Sequence, residues 1–208
     1  MQLVLVHGWG FHGGIWQELL PRLDGHDLHI VDLGFCRGGP KATTRLPEHS
    51  VAIGHSFGLM WLLRHGPRPL KGLVSVCGFD CFHRHVAPEE VDPIRQGIGR
   101  NIDAQMRAFW RQCGAPEFSS DEFDRATLLA GLDWLCRWDA RADLESLGAP
   151  VLALASEDDP IFPAAASRAV WEGQSQFHMS SDGGHALPLT RPDWCAARIS
   201  EFVDGLRA

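Results

Sequence analysis

A chain of 208 residues with 45% hydrophobic and 22% charged side chains can bury one sizeable core, so a single domain over 1–208 is expected. Its formal net charge of -7 argues against a general nucleic-acid footprint, which needs a basic excess. The six cysteines lack the paired spacing of zinc sites and no apolar run approaches the ~18 residues of a membrane span. Reduced thiols, no metal, no membrane partner, a cytoplasmic address and a monomer are the expectations; the opening Met1 to Val6 is too short, and lacks the basic start, for a signal peptide.

Leu3 to Val6 is a continuous apolar run closed by His7-Gly8, the pattern of a strand buried on both faces of a parallel sheet. After the glycine-rich stretch Gly8 to Gly14, Ile15, Trp16, Leu19, Leu20 and Leu23 recur at helical spacing, and Gly25 stops that predicted helix. Asp27 to Leu33 reads as the second strand. From Leu33 through Arg37-Gly38-Gly39-Pro40 and onward to Val51 no helical period appears, so this crossover is expected to be mostly loop. Ser50 to Ile53 is the next strand, Phe57 to His65 a helix behind it, and Leu70 to Val76 another buried strand.

Between about 81 and 145 the pattern becomes helical only. There Ile94, Ile98, Ile102, Met106, Phe109 and Cys113 fall on one face of a predicted helix, with Arg100, Arg107 and Arg111 on the opposite face. A second helix is predicted over Asp121 to Trp138. Pro150 to Ala155 and Phe177 to Ser180 bring the strands to about six, and a last helix covers Arg191 to Leu206. Strand alternating with helix implies an α/β fold with a doubly wound, mostly parallel sheet. The helical insertion would cap the carboxyl ends of the strands, where open α/β sheets bind ligands.

The strand ending at Ile53 runs into Gly54-His55-Ser56-Phe57-Gly58, a Gly-x-Ser-x-Gly at a strand-to-helix turn. A serine hydroxyl needs a histidine to take its proton, and the histidine needs a carboxylate to fix its tautomer. In the chain order serine, acid, histidine, the carboxylates of Glu157-Asp158-Asp159 follow the strand at 150–155, and His185 sits in the glycine-rich loop after the last strand. Ser56, Asp159 and His185 are therefore the candidate catalytic set, with Asp158 and Asp80, each near a strand end, as alternative acids. Donors for a developing oxyanion would be the backbone amides of Phe57 and Trp9.

His7 and His55 flank this site and are read as satisfying loop backbone groups. His83 and His85 have no third metal ligand in register. Trp9 and Phe109 are candidates for the wall of an acyl pocket. The strip Arg100, Arg107 and Arg111 is either a solvated face or a dock for an acidic carrier protein.

His7-Gly8-Trp9-Gly10, Gly54-His55-Ser56-Phe57-Gly58, Asp159-Pro160-Ile161-Phe162-Pro163 and Gly184-His185-Ala186 together resemble, in register and over essentially the whole chain, the motifs of the α/β-hydrolase family. The implied fold is an N-terminally truncated α/β-hydrolase fold, without the two strands that usually precede the first one here, with a shorter crossover before Ser56 and a small cap. More narrowly, the His-Gly-Trp-Gly opening and Phe109-Trp110-Arg111-Gln112 resemble the pimeloyl-[acyl-carrier protein] methyl ester carboxylesterases of biotin synthesis, which adds Trp110 to the substrate-binding candidates.

That resemblance implies hydrolysis of a carboxylic ester through an acyl-enzyme without cofactor, with the pimeloyl-carrier methyl ester as lead substrate and acyl-carrier protein as candidate partner. A carboxylesterase or thioesterase for another small acyl substrate is the alternative. A ligand-binding protein on a hydrolase scaffold would show a broken serine, acid and histidine set, and here the set is intact.

Overall fold

The computed structural model describes residues 1–37, 46–173 and 176–207. Its elements in chain order are β1 (Gln2–Val6), β2 (Asp27–Val31), β3 (Cys36–Arg37), β4 (Val51–His55), α1 (Phe57–His65), β5 (Gly72–Val76), α2 (Asp92–Arg100), α3 (Ile102–Gln112), β6 (Glu122–Phe123), α4 (Arg125–Arg137), α5 (Arg141–Glu145), β7 (Val151–Ser156), α6 (Ala164–Trp171), β8 (Gln176–Ser180), α7 (Leu187–Thr190) and α8 (Pro192–Gly205). Six strands form one sheet in the order β2-β1-β4-β5-β7-β8, every pair parallel.

The alternation of side chains along each strand divides the interior in two. Leu3, Leu5, Val51, Ile53, Val74, Val76, Leu152 and Leu154 point into one layer, closed by Ile15, Trp16 and Leu19, by Met106 and Leu128 of the helical segment, and by Ile199 and Phe202 of α8. Val4, Val6, Ala52, Leu73 and Ala153 point into the other, closed by Leu59, Leu62 and Leu63 of α1 and by Trp171 of α6. Strands apolar on both faces must lie inside a sheet covered on both sides, and β1, β4, β5 and β7 do. The edge strands β2 and β8 carry His29 and His178 and are only part-buried.

The segment expected as a helix around Ile15 to Leu23 forms two short 3-10 turns instead, Gly13–Trp16 and Leu20–Arg22. Pro21 withholds an amide donor, and Gly13 and Gly14 open the stretch without helix-favouring side chains. Ile15, Trp16, Leu19 and Leu23 are buried as their spacing implied.

The long helix expected through Ile94 to Cys113 is broken at Asn101, whose extended backbone (φ -156°, ψ 98°) ends α2. Its side chain accepts the Ala104 amide at 3.0 Å and caps α3. The helix expected from Asp121 begins only at Arg125, capped by Asp124, because Glu122–Phe123 pair antiparallel with Cys36–Arg37. The segment between β5 and β7 is thus not purely helical, and the crossover before β4 is not purely loop. Residues 38–45 of that crossover lie outside the described residues. Among the described residues no helix is long and apolar enough to cross a membrane.

Candidate active site

Ser56 follows β4 and sits at φ 52°, a left-handed conformation that costs free energy for any residue with a Cβ. Its neighbours are forced to be small. A Cβ on Gly54 would lie 2.6 Å from the Leu59 backbone, and one on Gly58 would lie 2.3 Å from the Val6 carbonyl oxygen. The Ser56 amide donates to the Val76 carbonyl at 2.9 Å, so the turn is pinned to the neighbouring strand β5.

His185 Nε2 lies 2.8 Å from Ser56 Oγ, and His185 Nδ1 lies 2.8 Å from Asp159 Oδ2. The other Asp159 oxygen accepts the amides of Ile161 at 2.8 Å and Phe162 at 3.0 Å. An ionised carboxylate only accepts, so Nδ1 carries the imidazole proton and the Nε2 lone pair receives the serine hydroxyl. Ser56, Asp159 and His185 are all buried and arrive from three loops at the carboxyl ends of β4, β7 and β8.

The two other acids considered from sequence stand elsewhere. Asp158 accepts from the Ser156 hydroxyl at 2.5 Å and from the Gly184 amide at 2.8 Å, which holds its carboxyl below the usual carboxylate range and ties it to the loop carrying His185. Asp80 makes no hydrogen bond to His185; burial raises its carboxyl, and it lines a cavity of about 400 Å³ with Arg141 and Val170.

The loop after β1 presses on the serine: a Cβ on Gly8 would lie 2.8 Å from Ser56 Cβ. The Leu33 amide donates to His7 Nε2 at 2.9 Å, which leaves the ring proton on Nδ1, and this donates to the Gly8 carbonyl at 2.9 Å. Phe11 also donates to that carbonyl, at 3.3 Å. In a trans peptide the N–H points opposite to the C=O, so anchoring the Gly8 oxygen aims the Trp9 amide the other way. Among the described residues neither the Trp9 nor the Phe57 amide is donated to a protein acceptor.

The predicted wall residues Trp9, Phe109 and Trp110 are all buried. The Trp9 indole donates to the Leu128 carbonyl at 2.8 Å and meets Phe109 edge-on at 4.9 Å between ring centroids. The Trp110 indole donates to the Gly10 carbonyl at 2.9 Å. Two indoles therefore bind the β1 loop and the helical segment to each other, one in each direction. Arg100, Arg107 and Arg111 are exposed, but the break at Asn101 places Arg100 on α2 and the other two on α3.

Cys77, Asp159 and His185 bring three potential ligand atoms within 4.8 Å. Two of them already face each other, and burial holds the Cys77 thiol protonated, well above its ordinary range. His83 lies against Cys81 and His85 against Phe162, so the two histidines do not converge. His7 and His55 both satisfy loop backbone groups, as read from the sequence; what the sequence did not reveal is that His55 reaches two loops of the site at once, bonding Gly8 and His185.

Residues 3–198 match the sequence model of the alpha/beta hydrolase family. A pimeloyl-[acyl-carrier protein] methyl ester esterase of Xylella fastidiosa (strain M12) is 27% identical over 242 residues, covering 97% of this chain and 94% of that protein. That aligned stretch is longer than the chain, so the relative carries residues this one lacks. The biotin biosynthesis bifunctional protein BioHC of Cellvibrio japonicus (strain Ueda107) is also 27% identical, over 98% of this chain but only 48% of its own length. Among solved structures, an esterase from Exiguobacterium antarcticum superposes with a TM-score of 0.82 at 16% identity, covering 98% of this chain and 92% of that one. The parallel sheet, the serine turn and the match over nearly the whole sequence place this chain in the alpha/beta hydrolase family.

Proposed function

We propose that this protein is a serine carboxylesterase that works through an acyl-enzyme. The observation that carries the reading is the unbroken line of hydrogen bonds from Ser56 through His185 to Asp159, each 2.8 Å, beside the amides of Phe57 and Trp9, which donate to no protein acceptor among the described residues. Ser56 Oγ attacks the ester carbonyl carbon as its proton passes to His185 Nε2, and Asp159 stabilises the imidazolium. The negative oxygen of the tetrahedral intermediate takes the N–H groups of Phe57 and Trp9. Collapse expels the alkoxide, which leaves as the alcohol with the proton from His185. Water then repeats the sequence on the acyl-enzyme and releases the acid and Ser56. No step calls for a metal or an organic cofactor.

The substrate we infer is the methyl ester of a pimeloyl group on acyl-carrier protein, the compound named for the relatives at 25–27% identity. The exposed Arg107 and Arg111, one turn apart on α3, with Arg100 exposed at the end of α2, are cations on an acidic protein that would complement an acidic carrier. A thioester or another small ester would follow the same steps with a different leaving group.

The decisive experiment follows free acid by mass from pimeloyl-carrier methyl ester and from a short-chain nitrophenyl ester, with Ser56→Ala alongside. Demethylation by the wild type alone supports the whole reading. Cleavage of the nitrophenyl ester only removes the carrier substrate, and cleavage of neither removes the esterase. The double variant Arg107→Glu, Arg111→Glu is expected to lower kcat/KM on the carrier substrate by about 10-fold, an effect that shrinks as salt rises, with the nitrophenyl ester within about twofold of wild type. Equal losses on both substrates would remove the docking role.

A further inference from the structure

His55 fills the first of the two free positions of Gly-x-Ser-x-Gly, and the steps above make no use of it. Its ring is wholly buried between the loop after β1 and the loop that carries His185. The Gly8 amide donates to Nδ1 at 3.2 Å, and Nε2 faces the backbone carbonyl of His185 at 2.9 Å. These two bonds settle the tautomer. An amide only donates, so Nδ1 holds the lone pair; a carbonyl only accepts, so Nε2 holds the proton. The ring serves both only while neutral, and burial, followed by the neighbouring His185, holds it well below the ordinary histidine range. Phe11 and Trp16 meet its ring edge-on at centroid distances of 5.4 and 6.3 Å, so it has one place to lie.

The two groups that His55 connects are otherwise related indirectly, through Ser56 and through α3, whose Trp110 donates to the Gly10 carbonyl and whose following Cys113 accepts the Ala186 amide; His55 hydrogen-bonds to both loops with one ring. The oxyanion amide of Trp9 hangs from β1 and the general base from β8, and three strands separate β1 from β8 in the sheet. His55 stands on β4, between them. A Cβ on Gly8 would lie 2.9 Å from His55 Nδ1 as well as against Ser56, so the loop touches ring and nucleophile at once. The imidazole of His185 already has its tautomer from Asp159; the bond from His55 reaches its backbone instead, and what that bond sets is position.

We propose, resting on the acyl-enzyme reading, that His55 is a positioning residue that yokes the Gly8–Trp9 peptide to the backbone of His185, holding oxyanion donor and general base in register through both halves of turnover. Displacement of a reacting group by about 1 Å can cost on the order of 100-fold in rate. The ground-state affinity for a small ester does not depend on that register, so the effect falls on kcat.

The test uses the full-length protein and the nitrophenyl ester. His55→Phe fills the ring's space and removes both bonds, His55→Asn keeps an acceptor near the place of Nδ1, and His55→Gln puts a donor near the place of Nε2. The kcat of His55→Phe is expected to fall by about 10- to 100-fold and that of the other two by about 3- to 10-fold, with KM within about twofold throughout. In nitrogen-15-labelled wild type, His55 is expected to show a neutral ring with its proton on Nε2 at neutral pH, a reading that requires no variant to fold.

A folded His55→Phe with wild-type kcat, a loss confined to KM, or a proton on Nδ1 would overturn the inference. Should His55→Phe not fold, kcat in the Asn and Gln variants within twofold of wild type would overturn it equally. A wild type no faster than Ser56→Ala would remove the acyl-enzyme reading and this inference with it, whereas an active wild type with indifferent His55 variants removes this inference alone.

Discussion

Asp159→Asn is expected to slow hydrolysis of the nitrophenyl ester by about 1,000- to 10,000-fold at neutral pH while leaving the fold intact. The reason lies in which oxygen does what. Asp159 Oδ1 accepts two backbone amides, from Ile161 and Phe162, so the amide oxygen of an asparagine must take that side. Its NH2 group then faces His185 Nδ1, where the carboxylate had accepted at 2.8 Å. A donor there reverses the tautomer: Nδ1 becomes the acceptor, the proton moves to Nε2, and His185 presents Ser56 with an N–H where a lone pair is needed. Steady-state kinetics beside circular dichroism measures both halves of the claim. Asp80 makes no hydrogen bond to His185, so Asp80→Asn should stay within about threefold of wild type. A large loss there with a small one at Asp159 would reassign the acid.

The second large effect is on stability. Gly58→Ala lies in the first turn of α1, where alanine is intrinsically the better helix former by about 1 kcal/mol. Here the sign reverses, because the new Cβ would lie 2.3 Å from the Val6 carbonyl oxygen and 2.7 Å from that of His7, both backbone atoms of the adjacent strand and loop. Neither can rotate aside. The helix must shift off β1, and we expect a loss of about 3 kcal/mol or more, which lowers Tm by on the order of 10 °C. Gly99→Ala in α2 is the control: nothing lies within 4 Å of its Cβ position, so a gain of about 0.5–1 kcal/mol is expected. Thermal unfolding of both variants decides the matter. A Gly58→Ala protein as stable as wild type would mean that helix and strand do not cross as closely as described.

What could be read in advance divides along the range of the interactions. The strands Leu3 to Val6, Val51 to Ile53 and Pro150 to Ala155 are continuous apolar runs, and a run apolar on both faces has few places to go but the middle of a sheet. Gly54, Ser56 and Gly58 act on one another within a single turn, so their spacing alone carries the geometry, and chain order supplied His185 and Asp159. Asn101 was opaque for the opposite reason. Ile98 and Ile102 keep helical spacing across it because α2 and α3 bury their apolar faces in one core, and periodicity is blind to a break that preserves phase. The pairing of β3 with β6 joins two dipeptides distant in sequence, and no local pattern announces it. His55 sits where the Gly-x-Ser-x-Gly pattern places no demand on side-chain type; its bonds to Gly8 and His185 exist only once three strands have been brought together.

The crossed indoles of Trp9 and Trp110 limit how this chain could be retailored. Each indole has one N–H, and each of these is committed across the boundary between the β1 loop and the helical segment. Sliding α3 or α4 outward would pull on the Gly10 carbonyl and the Trp9 side chain, so a change of substrate preference reached by that route is expected to carry a loss of speed. Exchanging side chains in place avoids the coupling. Gly131 on α4 shows how closely the two parts already meet, since a Cβ there would lie 2.5 Å from the Trp9 ring.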